Sequence, residues 1–263
     1  VRRVSDACRP AASPAPSPDP APPRLLPLGD AAWTVEFGRA IDPAAQARVL
    51  HLAARVRAAG RPEVVDVVPS LRSLTVHLDP LAPDAAELGA WLLALAGEPA
   101  PPPRAGRCWR LPVCFEADCA PDLPALAQRL GLTPDAVIAR LTGAALTVGM
   151  IGFMPGFPYM TGLPEALAVP RRATPRTRVP AGSVAVAGGL CGVYPWESPG
   201  GWWLVGHLPL PLFEAGRDDD PAWLAAGDRV RWVAVGARAH AALARDWARG
   251  GQPREPFLDG AAP

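Results

Sequence analysis

The hydrophobic pattern changes period several times along the chain, and each change marks an element. Trp33-Thr-Val-Glu-Phe37 alternates apolar and polar and reads as a strand. Asp42 followed by Pro43 gives a helix N-cap and a first-turn proline, and Gly60 gives the stop, so a helix spans the interval. Two more strands are predicted over 63–68 and 71–78. The second sets Leu74, Val76 and Leu78 on one face against Thr75 and His77 on the other. Residues 84–96 return to helical spacing. This β-α-β-β-α order suits a small ferredoxin-like α+β domain over residues 25–98, with its last strand not placed.

Glu98-Pro-Ala-Pro-Pro-Pro-Arg104 is stiff and extended, and residues 99–106 are taken as a linker. The pattern then predicts a strand near 107–115, helices near 122–130 and 134–142, and a strand near 145–151. After Gly152 short β-type runs are cut by Pro and Gly at close spacing, as in an all-β barrel, and Gly227–Val235 forms a last strand. The barrel domain is assigned to 107–236, and a C-terminal helix (237–248) with a tail to 237–263. Residues 1–24, with seven prolines among Ala and Ser, offer no packing face and are expected to be a disordered tail.

Charge and composition narrow the chemistry. The formal net charge of +1 gives no basic footprint for nucleic acid, and no apolar run approaches the roughly 20 residues that cross a bilayer. Arg2 and Arg3 are followed by Ala, Pro and Ser instead of a signal-peptide core, so a cytoplasmic location is expected. The five cysteines (8, 108, 114, 119 and 191) form no C-x-x-C pair, which points to reduced thiols and no metal centre. All 26 basic residues are Arg. Without Lys the chain has no P-loop phosphate lysine, Schiff base or pyridoxal anchor, and without Asn it has no glycosylation site and no Asn oxyanion donor.

The candidate chemistry lies between residues 152 and 214. Gly152-Phe153-Met-Pro155-Gly156-Phe157-Pro-Tyr159 could shape a ligand pocket or could be a structural crossover with Phe153 and Phe157 as core. Tyr159 is a candidate catalytic hydroxyl for a substrate carbonyl, with simple burial as the alternative. Arg171, Arg172, Arg176 and Arg178 fall in a window, 166–196, that holds no Asp or Glu. The first three are assigned to an anion-binding edge, with Arg178 taken as peripheral; the alternative is an exposed basic loop, or pairing with acids distant in sequence such as Glu197 or Asp218. Ser198-Pro-Gly200-Gly201-Trp202 suggests a turn with a row of backbone N–H donors, or a tight hairpin. Glu197 is the adjacent candidate base or Mg²⁺ ligand, with a solvated turn residue as the alternative. Ser183, Tyr194 and Trp202 complete the pocket set. Glu116, Asp118 and Asp122 stand near Cys114 and Cys119, with Asp122 read as an N-cap for the following helix. Of the histidines, His51, His77 and His240 lie outside the motifs.

The ordered motifs GF-x-PGF-x-Y, PRR-x-x-PR, VPAGSV-x-VAG, G-x-YP and SPGGW, preceded by LGDAAWTVEFG at 28–38 and VVPSLRSLTVHLDP at 67–80, resemble one bacterial family. It contains the B-type subunit of 5-oxoprolinase, the sporulation-kinase inhibitor KipI and allophanate hydrolase subunit 1. The resemblance covers roughly residues 25–235. It implies a small α+β domain followed by a cyclophilin-like barrel, and an ATP-dependent opening of 5-oxo-L-proline to glutamate. It also implies ATP and Mg²⁺ as cofactors, and as partners a C-type, carboxyltransferase-like 5-oxoprolinase subunit with an A-type lactam-utilisation protein. A KipI-like regulatory module and a catalytically degenerate structural subunit remain alternatives. The chain departs from the family pattern at Leu141, Leu146, Leu190, Cys191, His207 and Leu208, where polar residues are expected. His207 there could replace a family Arg as an anion donor, with a surface or core role as the alternative.

Overall fold

The computed structural model describes residues 22–82, 87–100, 106–217, 220–250 and 253–259. They form two compact units, 22–100 and 106–259.

The first unit contains β1 (Arg24–Pro27), β2 (Ala32–Glu36), α1 (Pro43–Ala59), β3 (Val64–Pro69), β4 (Ser73–Leu78) and α2 (Leu88–Gly97). Asp42 opens α1 by accepting a hydrogen bond from the Ala44 N–H at 2.7 Å, and Gly60, at φ 57°, closes it in the left-handed region. The buried Val49, Leu52, Ala53 and Val56 recur at helical spacing and pack with Val35, Leu74 and Val76 of the sheet and Leu88 and Leu92 of α2. Thr75 and His77 sit on the more exposed face of β4. Sheet order is β1-β2-β4-β3, antiparallel throughout. The described order is therefore β-β-α-β-β-α, with an additional strand before β2 where the sequence pattern expected β-α-β-β-α. Arg24-Leu-Leu-Pro27 is too short for alternation to show, and its pairing with Trp33–Glu36 makes it a strand. The expected tail falls on residues 1–21, outside the described residues, except that Arg24 begins β1. The start of the expected 84–96 helix and most of the linker also lie outside them.

The second unit contains β5 (Cys108–Cys114), α3 (Leu123–Leu130), α4 (Pro134–Gly143), β6 (Leu146–Ile151), β7 (Pro158–Thr161), β8 (Arg176–Val179), β9 (Ser183–Ala187), β10 (Leu190–Val193), β11 (Ser198–Gly200), β12 (Trp203–His207), β13 (Arg229–Val235) and α5 (Ala237–Ala248). Seven strands close a barrel in the order β10-β7-β6-β13-β5-β12-β9, and β8 and β11 pair as a separate ribbon. β5 and β13 are parallel, and the other pairs are antiparallel. Closure leaves the barrel without a free sheet edge.

Leu141 and Leu146, fully buried, belong to the barrel core with Leu111, Val148 and Trp232, as do Cys191 and Leu208, so these departures from the family pattern are packing residues. Leu190 is partly buried against a second apolar cluster. The segment after α5 is anchored: Arg254 is buried, bonds Glu214 at 2.6 Å and lies over the Trp223 ring. Cys114, Cys119 and Cys191 are free thiols. No helix of the described residues is long and apolar enough to cross a membrane.

Candidate functional site

Strand β9 is buried on both faces, and this places the site. Val184 and Val186 join the barrel core, while Ala185 and Ala187 join a second cluster with Phe157, Tyr194 and Trp202. Alternation puts small residues under the aromatic side chains. Phe157 stands at the centre, 4.9 Å from the Tyr159 ring, 5.1 Å from Tyr194, 5.5 Å from Phe153 and 5.9 Å from Trp202. The offset and edge-on geometries are those the ring quadrupoles favour. Two glycines permit the close fit: a Cβ at Gly192 would lie 2.8 Å from the Phe157 ring, and one at Gly200 would lie 2.4 Å from the Tyr194 hydroxyl.

These rings wall a cavity of about 330 Å³, edged by Arg171, Arg172, Pro175, Pro199, Gly200 and Gly201. Behind the edge, Asp122 holds two guanidiniums on one oxygen. Its Oδ1 accepts from Arg172 at 2.7 Å and from Arg176 at 2.6 Å, while Oδ2 accepts from the Leu204 N–H at 2.8 Å. Asp122 holds the expected N-cap position of α3, but its carboxylate makes no side-chain cap bond. A helix N-terminus on the surface is satisfied by water, whereas two guanidiniums half withdrawn from solvent need an anion. Arg172 is further fixed by its own N–H on the Gly201 carbonyl at 2.8 Å and by stacking on Trp203.

The charge count is unequal. One carboxylate faces Arg172 and Arg176, and exposed Arg171 at the rim has no ion pair among those found for the described residues. The buried Nε of Arg172 and Nη1 of Arg176 have no hydrogen-bond partner. No carboxylate close in sequence answers the cluster, and the alternative of pairing with distant acids holds in part: Asp122, 50 residues before Arg172, neutralises one of its charges. Burial pushes the Tyr159 and Tyr194 hydroxyls above the usual tyrosine pKa, with Arg171 acting in the opposite sense. Both remain protonated donors at neutral pH.

Phe153, Phe157, Tyr159, Arg171, Arg172, Tyr194, Gly200, Gly201 and Trp202 of the expected set are therefore brought together, and the remainder are placed elsewhere. Arg176 acts from behind through Asp122. Glu197 is half exposed, does not line the cavity and pairs with Arg178 at 2.6 Å. Ser198 and Gly200 form strand β11 against β8, so the expected turn with its donor row is a short ladder. Pro155 is exposed outside the cavity, and Gly156 is buried against Phe213. Ser183 is buried, its carbonyl accepting from the Tyr194 N–H at 3.0 Å, and it supports the wall without facing the cavity. His207 does not reach the cavity. One ring nitrogen meets the Ala181 carbonyl at 2.8 Å and the other meets His240, also at 2.8 Å, so no donor is left for an anion. Asp122 and His240 are the residues that sequence reading left out of the sites, since only folding brings them to their partners. Glu116 is also placed by folding: it accepts from the Ala237 N–H at the start of α5. Among the described residues no group of three His, Cys, Asp or Glu is arranged to hold a metal ion. The residues at this cavity do not fit a resident Mg²⁺, since both Asp122 oxygens are engaged.

Fold and site define a class: a closed barrel with an aromatic, guanidinium-edged cavity, preceded by a small α/β unit. Residues 23–224 match the family model of the carboxyltransferase domain, subdomain C and D. The chain is 39% identical over 211 residues to the B-type subunit of 5-oxoprolinase from Escherichia coli O157:H7, covering 78% of this chain and 93% of that protein. It is 35% identical over 222 residues to the corresponding 5-oxoprolinase protein of Bacillus subtilis (strain 168), covering 79% and 91%. Among solved structures, TTHA0988 superposes with a TM-score of 0.69 at 35% identity, covering 78% of this chain; the chain spans 40% of TTHA0988. The K. lactis urea amidolyase shares the fold at a TM-score of 0.71 and 20% identity, over 90% of this chain and 16% of its own. The chain belongs to the carboxyltransferase-domain family, subdomain C and D, and within it groups with the B-type 5-oxoprolinase proteins.

Proposed function

We propose that this chain is the B-type subunit of an ATP-dependent 5-oxoprolinase and that the aromatic cavity receives the lactam acid. The observation that carries the reading is the cavity itself, in which five aromatic rings enclose a space edged by guanidiniums that exceed their carboxylate. A volume of about 330 Å³ sits at the low end of ligand pockets and suits a small cyclic acid better than a nucleotide. The substrate carboxylate pairs with Arg171 and Arg172 through charge-assisted hydrogen bonds. The protonated Tyr159 hydroxyl donates to the lactam carbonyl oxygen, and the aromatic rings pack against the apolar edge of the lactam ring. A phosphoryl group from ATP would activate this carbonyl, so that water adds to its carbon and the ring C–N bond breaks, giving glutamate, ADP and phosphate. The nucleotide and its Mg²⁺ are held by the partner proteins, of the C and A types. The N-terminal unit is a ferredoxin-like sheet whose outer strand comes from β1, the barrel is of cyclophilin-like type, and the complex is cytoplasmic.

The test is 5-oxoproline-dependent ATP hydrolysis by the full chain, alone and after reconstitution with proteins of the two partner types. Activity only in the reconstituted set is expected. Turnover by the chain alone, or a reconstituted set indifferent to Arg172→Ala, would overturn the reading.

A further inference from the structure

Phe153 is the one non-glycine residue with positive φ among the described residues, at 69°. For a bulky aromatic this is a true outlier, because Cβ crowds the backbone in the left-handed region. Burial does not compensate, since the side chain is 62% exposed. Glycine would be relaxed here, and the loop already uses it at Gly152 and at Gly156, where φ is 79°. The conformation is imposed from outside the residue: the Gly152 N–H bonds the Phe157 carbonyl and the Phe157 N–H bonds the Met154 carbonyl, both at 3.1 Å, closing the loop between β6 and β7 around it. The ring lines the cavity and meets Phe157 and Tyr194 edge-on, at 5.5 and 6.4 Å. Strain of this kind persists where the surrounding structure enforces it, and it concentrates at ligand clamps.

We infer that Phe153 is the specificity-determining roof of the cavity: the strained loop holds its ring over the opening so that the lactam ring of a small cyclic acid packs beneath it, with the carboxylate toward Arg171 and Arg172. This rests on the cavity being the substrate site. The roof then selects for an acid that carries a ring, whereas the guanidiniums answer any small anion.

The experiment uses the full chain with three replacements, Phe153→Gly, Phe153→Ala and Arg172→Ala. Thermal unfolding is measured without ligand, and binding is measured by calorimetry with 5-oxo-L-proline and with sulfate, an anion that has no ring. Phe153→Gly should melt above Phe153→Ala, because only the backbone distinguishes the two and glycine is relaxed at positive φ. Phe153→Gly should bind 5-oxo-L-proline roughly tenfold more weakly while sulfate binding is unchanged, as expected for loss of one aromatic contact. Arg172→Ala should weaken both ligands. If Phe153→Gly melts no higher than Phe153→Ala, the strain is refuted and the inference with it. If 5-oxo-L-proline affinity survives Phe153→Gly but not Arg172→Ala, the roof is refuted and the proposed function stands. If the wild-type chain binds sulfate but not 5-oxo-L-proline, the proposed function and the roof fall together.

Discussion

Replacing Asp122 with alanine removes the one carboxylate shared by Arg172 and Arg176. Its side chain is 5% exposed and accepts three hydrogen bonds, two of them from guanidinium groups. Breaking a buried ion pair from one side costs about 3–5 kcal/mol, because the remaining charge keeps its desolvation penalty. The two guanidiniums retain 29% and 26% exposure, so water reaches them in part. Discounting for that screening leaves about 2–4 kcal/mol. In a domain of this size that lowers the melting temperature by about 5–15 °C. Urea and thermal unfolding of the full chain measure the loss. Asp122→Ser separates this role from helix capping: serine caps well but is too short to reach both guanidiniums, so it should not restore stability. The Asp122→Ala and Arg172→Ala losses should be strongly non-additive, since removing Arg172 relieves part of the stranded charge. Full rescue by serine, or additive losses, would refute the shared-carboxylate argument.

Arg172→Ala should weaken binding of 5-oxo-L-proline by about 1.5–3 kcal/mol in calorimetry, with Lys restoring only part. Arg176→Ala should have the smaller effect, because Arg176 does not line the cavity; equal effects would contradict the geometry. Gly200→Ala brings a Cβ to 2.4 Å from the Tyr194 hydroxyl and must displace that ring, so binding should fall while the melting temperature changes by only a few degrees; an unchanged affinity would show that Tyr194 does not shape the site. His207 and His240 both have pKa values lowered by burial, His207 also by the neighbouring His240. The unfolded chain then binds more protons in the window below the ordinary histidine value of about 6.5, so their contribution to stability is full above that value and is lost as pH falls through the folded pKa values. Urea midpoints from pH 7.5 down to pH 5 should decline, and His240→Gln should flatten the decline; identical slopes would exclude the pair as its source.

Local rules carried much of this protein in plain sight. The Asp42-Pro43 start and Gly60 stop of α1, the alternation of β4, and strands β5, β6 and β13 depend on neighbours within a few residues, so they were legible from the residues alone. The motif order between 152 and 214 likewise marked the aromatic walls and Arg171 and Arg172. What the tertiary structure decided depends on contacts distant in sequence. Arg24–Pro27 is a strand only because β2 pairs with it, and Leu141 and Leu146 are apolar because they fill a barrel whose closure no local pattern records. Asp122 looks like a helix cap to its neighbours and becomes the counter-ion of Arg172 and Arg176 across 50 and 54 residues. His207 reads as a free donor until α5 brings His240 against it. The residue types that line the cavity are a local property of the chain. The balance of charge behind them is set by which side chains the closed barrel forces to share one buried carboxylate.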